Sequence, residues 1–110
     1  MYKQGDILLI PIPFSDLSAT KKRPVLVFSN DRYNSITDDI IVVAITSNIS
    51  NKFSEIAIND SDMQEGTMKV KSCIRVDKIY TISKSIIVKK FGSVKPNKID
   101  EIRTKFMELV

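Results

Sequence analysis

Ile40-Ile41-Val42-Val43-Ala44-Ile45 gives the strongest strand signal in the sequence and decides the fold. The run is short and rich in β-branched side chains, which favours a strand over a helix. Every position is apolar, so we expect a central strand that is covered on both faces. The polar residues Thr46-Ser47-Asn48 then end this strand.

Shorter apolar runs on both sides of this stretch predict further strands, separated by polar turns. Pro11 and Pro13 cannot donate a ladder hydrogen bond, so the first strand should lie at an edge of the sheet or end there. Residues 60–66 are acidic and predict a loop, and Gly92 should break the last strand. A turn or short helical piece is expected at residues 32–36. The runs with a strand signal are residues 7–12, 23–29, 40–45, 55–58, 71–76, 78–82 and 86–91.

The C-terminal segment changes to a helical period. Pro96 or Asn97 should start a helix there, and Asp100 and Glu101 in its first turn should complement the helix dipole. Five or six short strands followed by one helix predict a mostly β (α+β) fold, in which a bent antiparallel sheet closes towards a small barrel. Apolar side chains recur at three- and four-residue steps and should form the buried helix face: Ile99, Ile102, Phe106 and Leu109.

The length of 110 residues fits one domain over residues 1–110 and is too short for two independent cores. No apolar run approaches the roughly 20 residues that span a bilayer, and the N-terminus does not resemble a signal peptide. We therefore expect a cytoplasmic protein with no membrane partner. The single cysteine, Cys73, cannot form an internal disulfide and should be a small core residue.

Charge is unevenly distributed along the chain. Residues 1–66 carry 6 basic and 9 acidic side chains, a net −3, whereas residues 67–110 carry 11 basic and 4 acidic ones, a net +7. A basic half suits a polyanion such as nucleic acid, although a lysine-rich surface can also be merely solvated. The chain has no histidine, which excludes histidine acid–base catalysis and histidine-ligated metal. Any catalysis must use arginine, lysine, carboxylate, hydroxyl or backbone groups.

Lys21-Lys22-Arg23-Pro24 is the first candidate for chemistry. Pro24 restricts the preceding residue to extended backbone, which holds Arg23 at the junction of a loop and a strand. A guanidinium there could bind a phosphate with two parallel hydrogen bonds. The alternative is that the three charges only flank a buried strand and guard it against aggregation.

Thr46-Ser47-Asn48 is the second candidate, because it directly follows the most buried strand. Small hydroxyl and amide side chains at a strand exit can donate hydrogen bonds to phosphate oxygens. The alternative is ordinary turn chemistry, which the same residues favour.

The stretch 72–82 is the third candidate. Tyr80 in this stretch, or Phe14 near the N-terminus, could stack on an unpaired base, and the alternative for Tyr80 is packing in the core. If the strand is continuous, strict alternation places two sets of side chains on opposite faces: Arg75, Asp77 and Ile79 on one, and Val76, Lys78 and Tyr80 on the other.

Taken together and in order, these segments resemble the MazF/PemK family of toxin endoribonucleases. The family has a strand of the pattern basic-Arg-Pro-apolar with a polar end. Similar residues here are Lys22-Arg23-Pro24-Val25-Leu26-Val27, followed by Ser29-Asn30-Asp31. Gly5-Asp6-Ile7 opens the first strand, and Ala44-Ile45-Thr46-Ser47 matches the exit of the central one. Ile79-Tyr80-Thr81-Ile82-Ser83-Lys84 resembles the late strand, so the likeness covers almost the whole chain.

The resemblance implies a fold and an activity. Family members have an SH3-like barrel with a C-terminal helix, are usually homodimers, and cut single-stranded RNA at short sequences with no metal or other cofactor. A cognate antitoxin inhibits them by placing a segment in the RNA groove, and we expect an acidic segment here. By the same resemblance Arg23 is the catalytic arginine and Thr46 the catalytic threonine. RNA-binding residues are expected at Phe14, Lys21, Lys22, Ser47, Asn48, Asp77 and Lys78.

The implied reaction suits a chain without histidine. The ribose 2′ oxygen attacks the adjacent phosphorus, Arg23 stabilises the charge on the phosphoryl oxygens, and Thr46 holds one of them or orients the arginine. The products would be a 2′,3′-cyclic phosphate and a free 5′ hydroxyl. The proton carrier stays open, because a guanidinium keeps its protons at neutral pH. Some family members have glutamine at the position of Lys78 and arginine at the position of Tyr80. In addition, the loop 14–22 is short of glycine here. Both differences affect the contacts with RNA that are expected in the groove.

Two other functions fit the same fold. A related toxin group acts on DNA gyrase instead of RNA, and an inert barrel would bind RNA without cutting it. The cations at positions 21–23, together with Thr46, favour RNA cleavage over both alternatives.

Overall fold

The structure, a computed structural model, describes residues 1–11 and 21–110 of the chain. In these residues one antiparallel sheet of seven strands is accompanied by two α-helices. Short 3₁₀ turns lie at Asp60–Asp62 and Lys84–Ile86. The main elements are β1 (Asp6–Pro11), β2 (Lys22–Val27), α1 (Asp31–Ile36), β3 (Asp39–Thr46), β4 (Glu55–Ile58), β5 (Met63–Glu65), β6 (Ser72–Ser83), β7 (Lys89–Val94) and α2 (Pro96–Leu109).

The central strand is β3, as the apolar run at residues 40–45 predicts. The strand order is β4-β6-β3-β2-β1-β7-β5, and each neighbouring pair is antiparallel. Successive side chains of β3 enter two different cores, since Val42 is buried in the smaller one and Val43 in the larger one. A strand that is covered on both faces has to be apolar throughout, which explains the composition of this run.

The sheet curls around its larger core. The two edge strands, β4 and β5, both contribute to this core, through Ile58 and Met63. Helix α2 closes the same core with Ile99 and Ile102. Strands at opposite edges share one core only when the sheet bends strongly, so the prediction of a small SH3-like antiparallel barrel with a C-terminal helix is confirmed.

Helix α2 begins at Pro96 and buries the predicted apolar face. Phe106 packs edge-on against Phe28, with ring centroids 5.6 Å apart and an interplanar angle of 66°. The expectation for Asp100 and Glu101 is wrong, because neither carboxylate lies in the first turn. Each pairs instead with a basic side chain three residues away on the same helix. Within the two described ranges, no helix is both long and apolar enough to cross a bilayer.

Strand β6 runs unbroken through residues that the sequence divides into two strands. Its register against β3 shifts between Val43 and Ala44, whose partners are residues 79 and 75, so residues 76–78 have no partner in β3. The predicted strict alternation is wrong across this bulge. Val76 lies in the larger core, whereas Tyr80 packs against the smaller one. An irregularity of this kind changes which face later side chains occupy.

Of the two alternatives for the first strand, the edge position is wrong, because β1 (Asp6–Pro11) lies between β2 and β7. Two further strand predictions also need correction. The acidic stretch 60–66 contains β5, so the described strands number seven and not five or six. Gly92 does not break the last strand but lies within β7. A Cβ at Gly92 would come 2.5 Å from the carbonyl oxygen of Glu65, so glycine allows these two strands to approach.

Candidate nucleic-acid interface

Arg23 and Thr46 come together because they lie on adjacent antiparallel strands. Val25 of β2 pairs with Ala44 of β3. This ladder stops two residues short of Arg23 on β2 and two residues short of Thr46 on β3, so both residues lie at the same end of the strand pair. Both residues are half-buried. A guanidinium and a hydroxyl from separate parts of the sequence thus lie at one end of the sheet.

A cleft of about 750 Å³ contains both residues, and we call it the Arg23 cleft. Five parts of the chain line it: residues 21–24, residues 45–47, the segment 66–70, Ser72 of β6 and Phe91 of β7. Two of these parts were predicted separately from the sequence. The structure therefore brings five predicted residues into one cavity: Lys21, Lys22, Arg23, Thr46 and Ser47.

The Arg23 cleft is positively charged. The described lining contains four cationic side chains, and it contains no aspartate, glutamate, histidine or cysteine. A concave surface of one charge sign concentrates ions of the opposite sign, so the cleft suits a phosphate-bearing polyanion. In residues 1–11 and 21–110, no group of three or more histidine, cysteine or acidic side chains is arranged to hold a metal ion. The four cations are Lys21, Lys22, Arg23 and Lys69.

Thr46 is oriented by the turn that follows it. The backbone N–H of Asn48 donates to Thr46 Oγ1 at 3.1 Å. Because the oxygen accepts in this bond, the hydroxyl hydrogen can still be donated to an anion in the cleft. The turn and the functional interpretations of Thr46-Ser47-Asn48 are thus compatible, since one short turn directs the hydroxyl.

Four predicted RNA-binding residues are not among the described lining residues. Phe14 lies outside the residues that the structure describes. Asn48 is exposed and directly follows the lining residue Ser47. Asp77 and Lys78 are exposed in the bulge of β6, where they have no partner in β3.

Asp77 is held in an ion pair with Arg75. Nε and Nη2 of Arg75 donate to the two carboxylate oxygens of Asp77 at 3.0 and 2.8 Å. These hydrogen bonds lower the pKa of Asp77 to about 2, against the smaller opposing effect of burial. The carboxylate therefore stays ionised at neutral pH, and Arg75 offsets its charge.

The segment 66–70 and Phe91 were not predicted as parts of the site. The segment follows the acidic stretch and has no periodicity, so no local pattern marks it as a cleft wall. A long-range contact fixes it instead, because Met68 is buried and its N–H donates to Oδ1 of Asp60 at 2.8 Å. The one local signal is Gly66, whose φ of 81° is readily adopted only by glycine.

Cys73 is buried and does not line the cleft. Burial, together with a hydrogen bond and the charge of Glu55, raises the pKa of its thiol to about 11. The thiol is therefore neutral at physiological pH, and the prediction of a small core residue is confirmed.

The fold is similar to those of solved toxin structures. An endoribonuclease from a mycobacterial species, in complex with its cognate antitoxin, has a TM-score of 0.80 at 20% identity, covering 98% of this chain and 93% of its own. A chain of the MazE-MazF complex (Form-III) from Deinococcus radiodurans has a TM-score of 0.78 at 18% identity, covering 98% and 94%. The Mycobacterium tuberculosis toxin MazF-mt6 has a TM-score of 0.76 at 14% identity, covering 94% and 93%. At these identities the likeness shows the fold alone.

Sequence comparison identifies the family. Among curated proteins, no significant sequence match to this chain is found. A family model for the PemK-like, MazF-like toxin of type II toxin–antitoxin systems, by contrast, matches residues 3–110, which is almost the whole chain. The match extends over all the motifs from Gly5 to Lys84 that carry the resemblance. The chain therefore belongs to the PemK-like, MazF-like toxin family of type II toxin–antitoxin systems.

Proposed function

We propose that this chain is an endoribonuclease that cuts single-stranded RNA at short sequences without a metal ion. The observation that carries the proposal is the Arg23 cleft, in which an arginine and a threonine from adjacent strands share a lining with three lysines and no described acidic residue. RNA has the matching charge. The structurally similar mycobacterial protein is an endoribonuclease, which supports the same class of activity here.

In the proposed reaction, the ribose 2′ oxygen attacks the adjacent phosphorus, and the bond from phosphorus to the 5′ oxygen of the next nucleotide breaks. Negative charge accumulates on the phosphoryl oxygens as the 2′ oxygen bonds. Arg23 donates parallel hydrogen bonds to these oxygens, and the hydroxyl of Thr46 donates to one of them. The 2′ oxygen loses a proton and the 5′ oxygen gains one. The products are a 2′,3′-cyclic phosphate and a free 5′ hydroxyl.

The flanking phosphates are proposed to lie beside these two residues. Their contacts would come from side chains at the same two strand ends: Lys21, Lys22, Ser47 and Asn48. Phe14, Asp77 and Lys78 stay predictions for RNA binding. Of these, Asp77 is the least suited to contact a phosphate directly, because its charge is negative and already paired with Arg75.

A cognate antitoxin with an acidic segment is the proposed inhibitor. The similar mycobacterial endoribonuclease is in complex with its cognate antitoxin, and the Deinococcus structure is a MazE-MazF complex. An acidic segment would complement the four cations of the Arg23 cleft and exclude RNA from it. We further propose that the chain acts as a homodimer in the cytoplasm.

RNA cleavage in excess EDTA, with mapping of the product ends, tests this function. We expect discrete cuts at a recurring short sequence, with cyclic phosphates at the 3′ ends and free hydroxyls at the 5′ ends. RNA that is bound but never cut would indicate an inert RNA-binding barrel. Inhibition of DNA supercoiling by protein that leaves RNA intact would indicate a toxin that acts on gyrase. If cleavage stops in EDTA, only the claim that the reaction needs no metal ion is contradicted.

A further inference from the structure

Strand β7 contains a bulge at Phe91. Ile7 of β1 pairs with Gly92, whereas the next residue, Leu8, pairs with Lys90. Phe91 is therefore left without a partner in β1. A bulged residue turns away from the ordinary alternation of its strand, and such bulges often redirect a side chain next to an active site.

Contacts on both sides of Phe91 fix this bulge. A Cβ at Gly66 would come 2.8 Å from the carbonyl oxygen of Phe91, and a Cβ at Gly92 would meet the carbonyl oxygen of Glu65 at 2.5 Å. The two backbone segments thus touch at positions where only glycine fits. On the other side of the bulge, Nζ of Lys90 pairs with Glu65 at 2.8 Å. The backbone that carries the ring is held from both neighbouring positions.

Phe91 lines the Arg23 cleft. Phe91 is 39% exposed, and it is the one aromatic side chain among the described lining residues. Val70 is 62% exposed and also lines the cleft. The cleft therefore combines two kinds of group. One is the cations and hydroxyls, which include Lys69 in the segment 66–70, and the other is the exposed apolar side chains Val70 and Phe91.

We infer that Phe91 stacks on a base of the RNA whose phosphate is held by Arg23, and that this stacking holds the nucleotide in the cleft. The inference rests on the proposed function for the phosphate side of the cleft. A single-stranded nucleotide presents both a charged phosphate and a flat apolar base, which matches the two kinds of group in the cleft. An acidic peptide would need the cations but not an exposed aromatic side chain.

A tryptophan at this position reports stacking directly. The chain has no tryptophan, so Phe91→Trp introduces a single fluorescent indole. The full-length variant is titrated with a random-sequence 2′-O-methyl oligoribonucleotide, which lacks the free 2′ hydroxyl needed for cleavage, and with an abasic oligomer carrying the same number of phosphates. We expect the bases to quench the fluorescence at least about twofold more than the abasic oligomer does.

Phe53→Trp provides the matched control for this titration. Phe53 is 66% exposed, contacts Lys105 and lies outside the Arg23 cleft. Its fluorescence should respond equally weakly to both oligomers. Equal quenching of Phe91→Trp by the two oligomers would overturn the inference, as would a response to an acidic peptide but none to RNA.

Cleavage kinetics separate stacking from simple apolar packing. We expect Phe91→Ala to raise KM for RNA about tenfold, which corresponds to about 1.4 kcal/mol, with kcat changed less. Phe91→Tyr should restore KM, and Phe91→Leu should not, because it keeps apolar bulk but has no ring. Thermal unfolding of each variant shows whether it is folded. Full rescue by leucine, or an unchanged KM in folded Phe91→Ala, would overturn the inference.

The two proposals fail in different ways. If the wild-type protein cuts RNA and Phe91→Ala cuts it equally well, only the role of Phe91 is lost. If the wild-type protein cuts no RNA but Phe91→Trp is quenched by bases and not by the abasic oligomer, the stacking site stands and the cleavage function is lost.

Discussion

Arg23 is held differently from the two lysines that precede it. Lys21 and Lys22 are exposed, whereas Arg23 is half-buried next to Pro24. A charge that only guarded the strand against aggregation would favour full hydration, so the partial burial of Arg23 in a cleft favours the phosphate-binding alternative. The local patterns predicted Arg23 and Thr46 only as separate candidates, because the pairing of β2 with β3 is not contained in any local pattern. Only the family resemblance joined the two residues.

Cys73 provides a prediction at the same scale. Because burial raises its thiol pKa from 9.0 to about 11, we expect iodoacetamide at about pH 8 to label native Cys73 at least about a hundredfold more slowly than the urea-unfolded chain. The side chain is also about 1% exposed, which adds to the protection. Mass spectrometry of timed samples measures both rates. Equal rates in the native and unfolded chains would show that the thiol is accessible.

Among the elements, the regular ones were predicted well and the irregular ones were not. Strand β3 and helix α2 were predicted to within about two residues, because apolar composition and helical period are local signals. The bulges of β6 and β7 escaped prediction, since each is defined by a missing partner on another strand. Phe91 was missed for this reason, because the run 86–91 contains no local sign of a bulge at its last residue.

Lys98 links α2 to the sheet and provides a prediction at the element scale. Its Nζ donates to the carbonyl oxygen of Ala57 at 3.2 Å and pairs with Asp62 at 3.4 Å and Glu101 at 2.7 Å. The side chain is 8% exposed, so Lys98→Met would leave these acceptors poorly satisfied. We expect the free energy of unfolding to fall by about 1 to 3 kcal/mol, measured by urea unfolding.

Lys95→Met is the matched control for this change. Lys95 is exposed, three residues earlier in the chain, and its substitution should alter the free energy of unfolding by less than about 0.5 kcal/mol. Equal stabilities of the two variants would mean that the contacts of Lys98 contribute nothing to the attachment of α2.

At the scale of the whole molecule, the fold redistributes the charge. The sequence places net charge +7 in residues 67–110, yet three of the four cations in the Arg23 cleft come from the net-negative residues 1–66. The uneven charge therefore predicted a polyanion as partner but not its location. The fold class and the family could be predicted, because they depend on the order of many local motifs. The shape of the cleft could not, because it depends on how the sheet curls.

The four cations of the Arg23 cleft predict how RNA binding depends on the salt concentration. We expect log K for single-stranded RNA to fall linearly with log salt concentration, and Lys69→Gln to reduce the magnitude of that slope by about 0.7, the value for one phosphate contact. Lys105→Gln, on α2 and outside the cleft, should leave the slope unchanged. Fluorescence anisotropy over a salt series measures both variants. The same reduction in both would mean that Lys69 acts only through net charge.

Cleavage of single-stranded RNA by Arg23→Ala in excess EDTA tests the central claim most directly. We expect the rate to fall at least about a hundredfold, because the charge on the phosphoryl oxygens loses its principal stabilising group. Arg32→Ala, an exposed position in α1, should cut at the wild-type rate, and circular dichroism should show that both variants are folded. Full activity in Arg23→Ala would contradict the proposed mechanism.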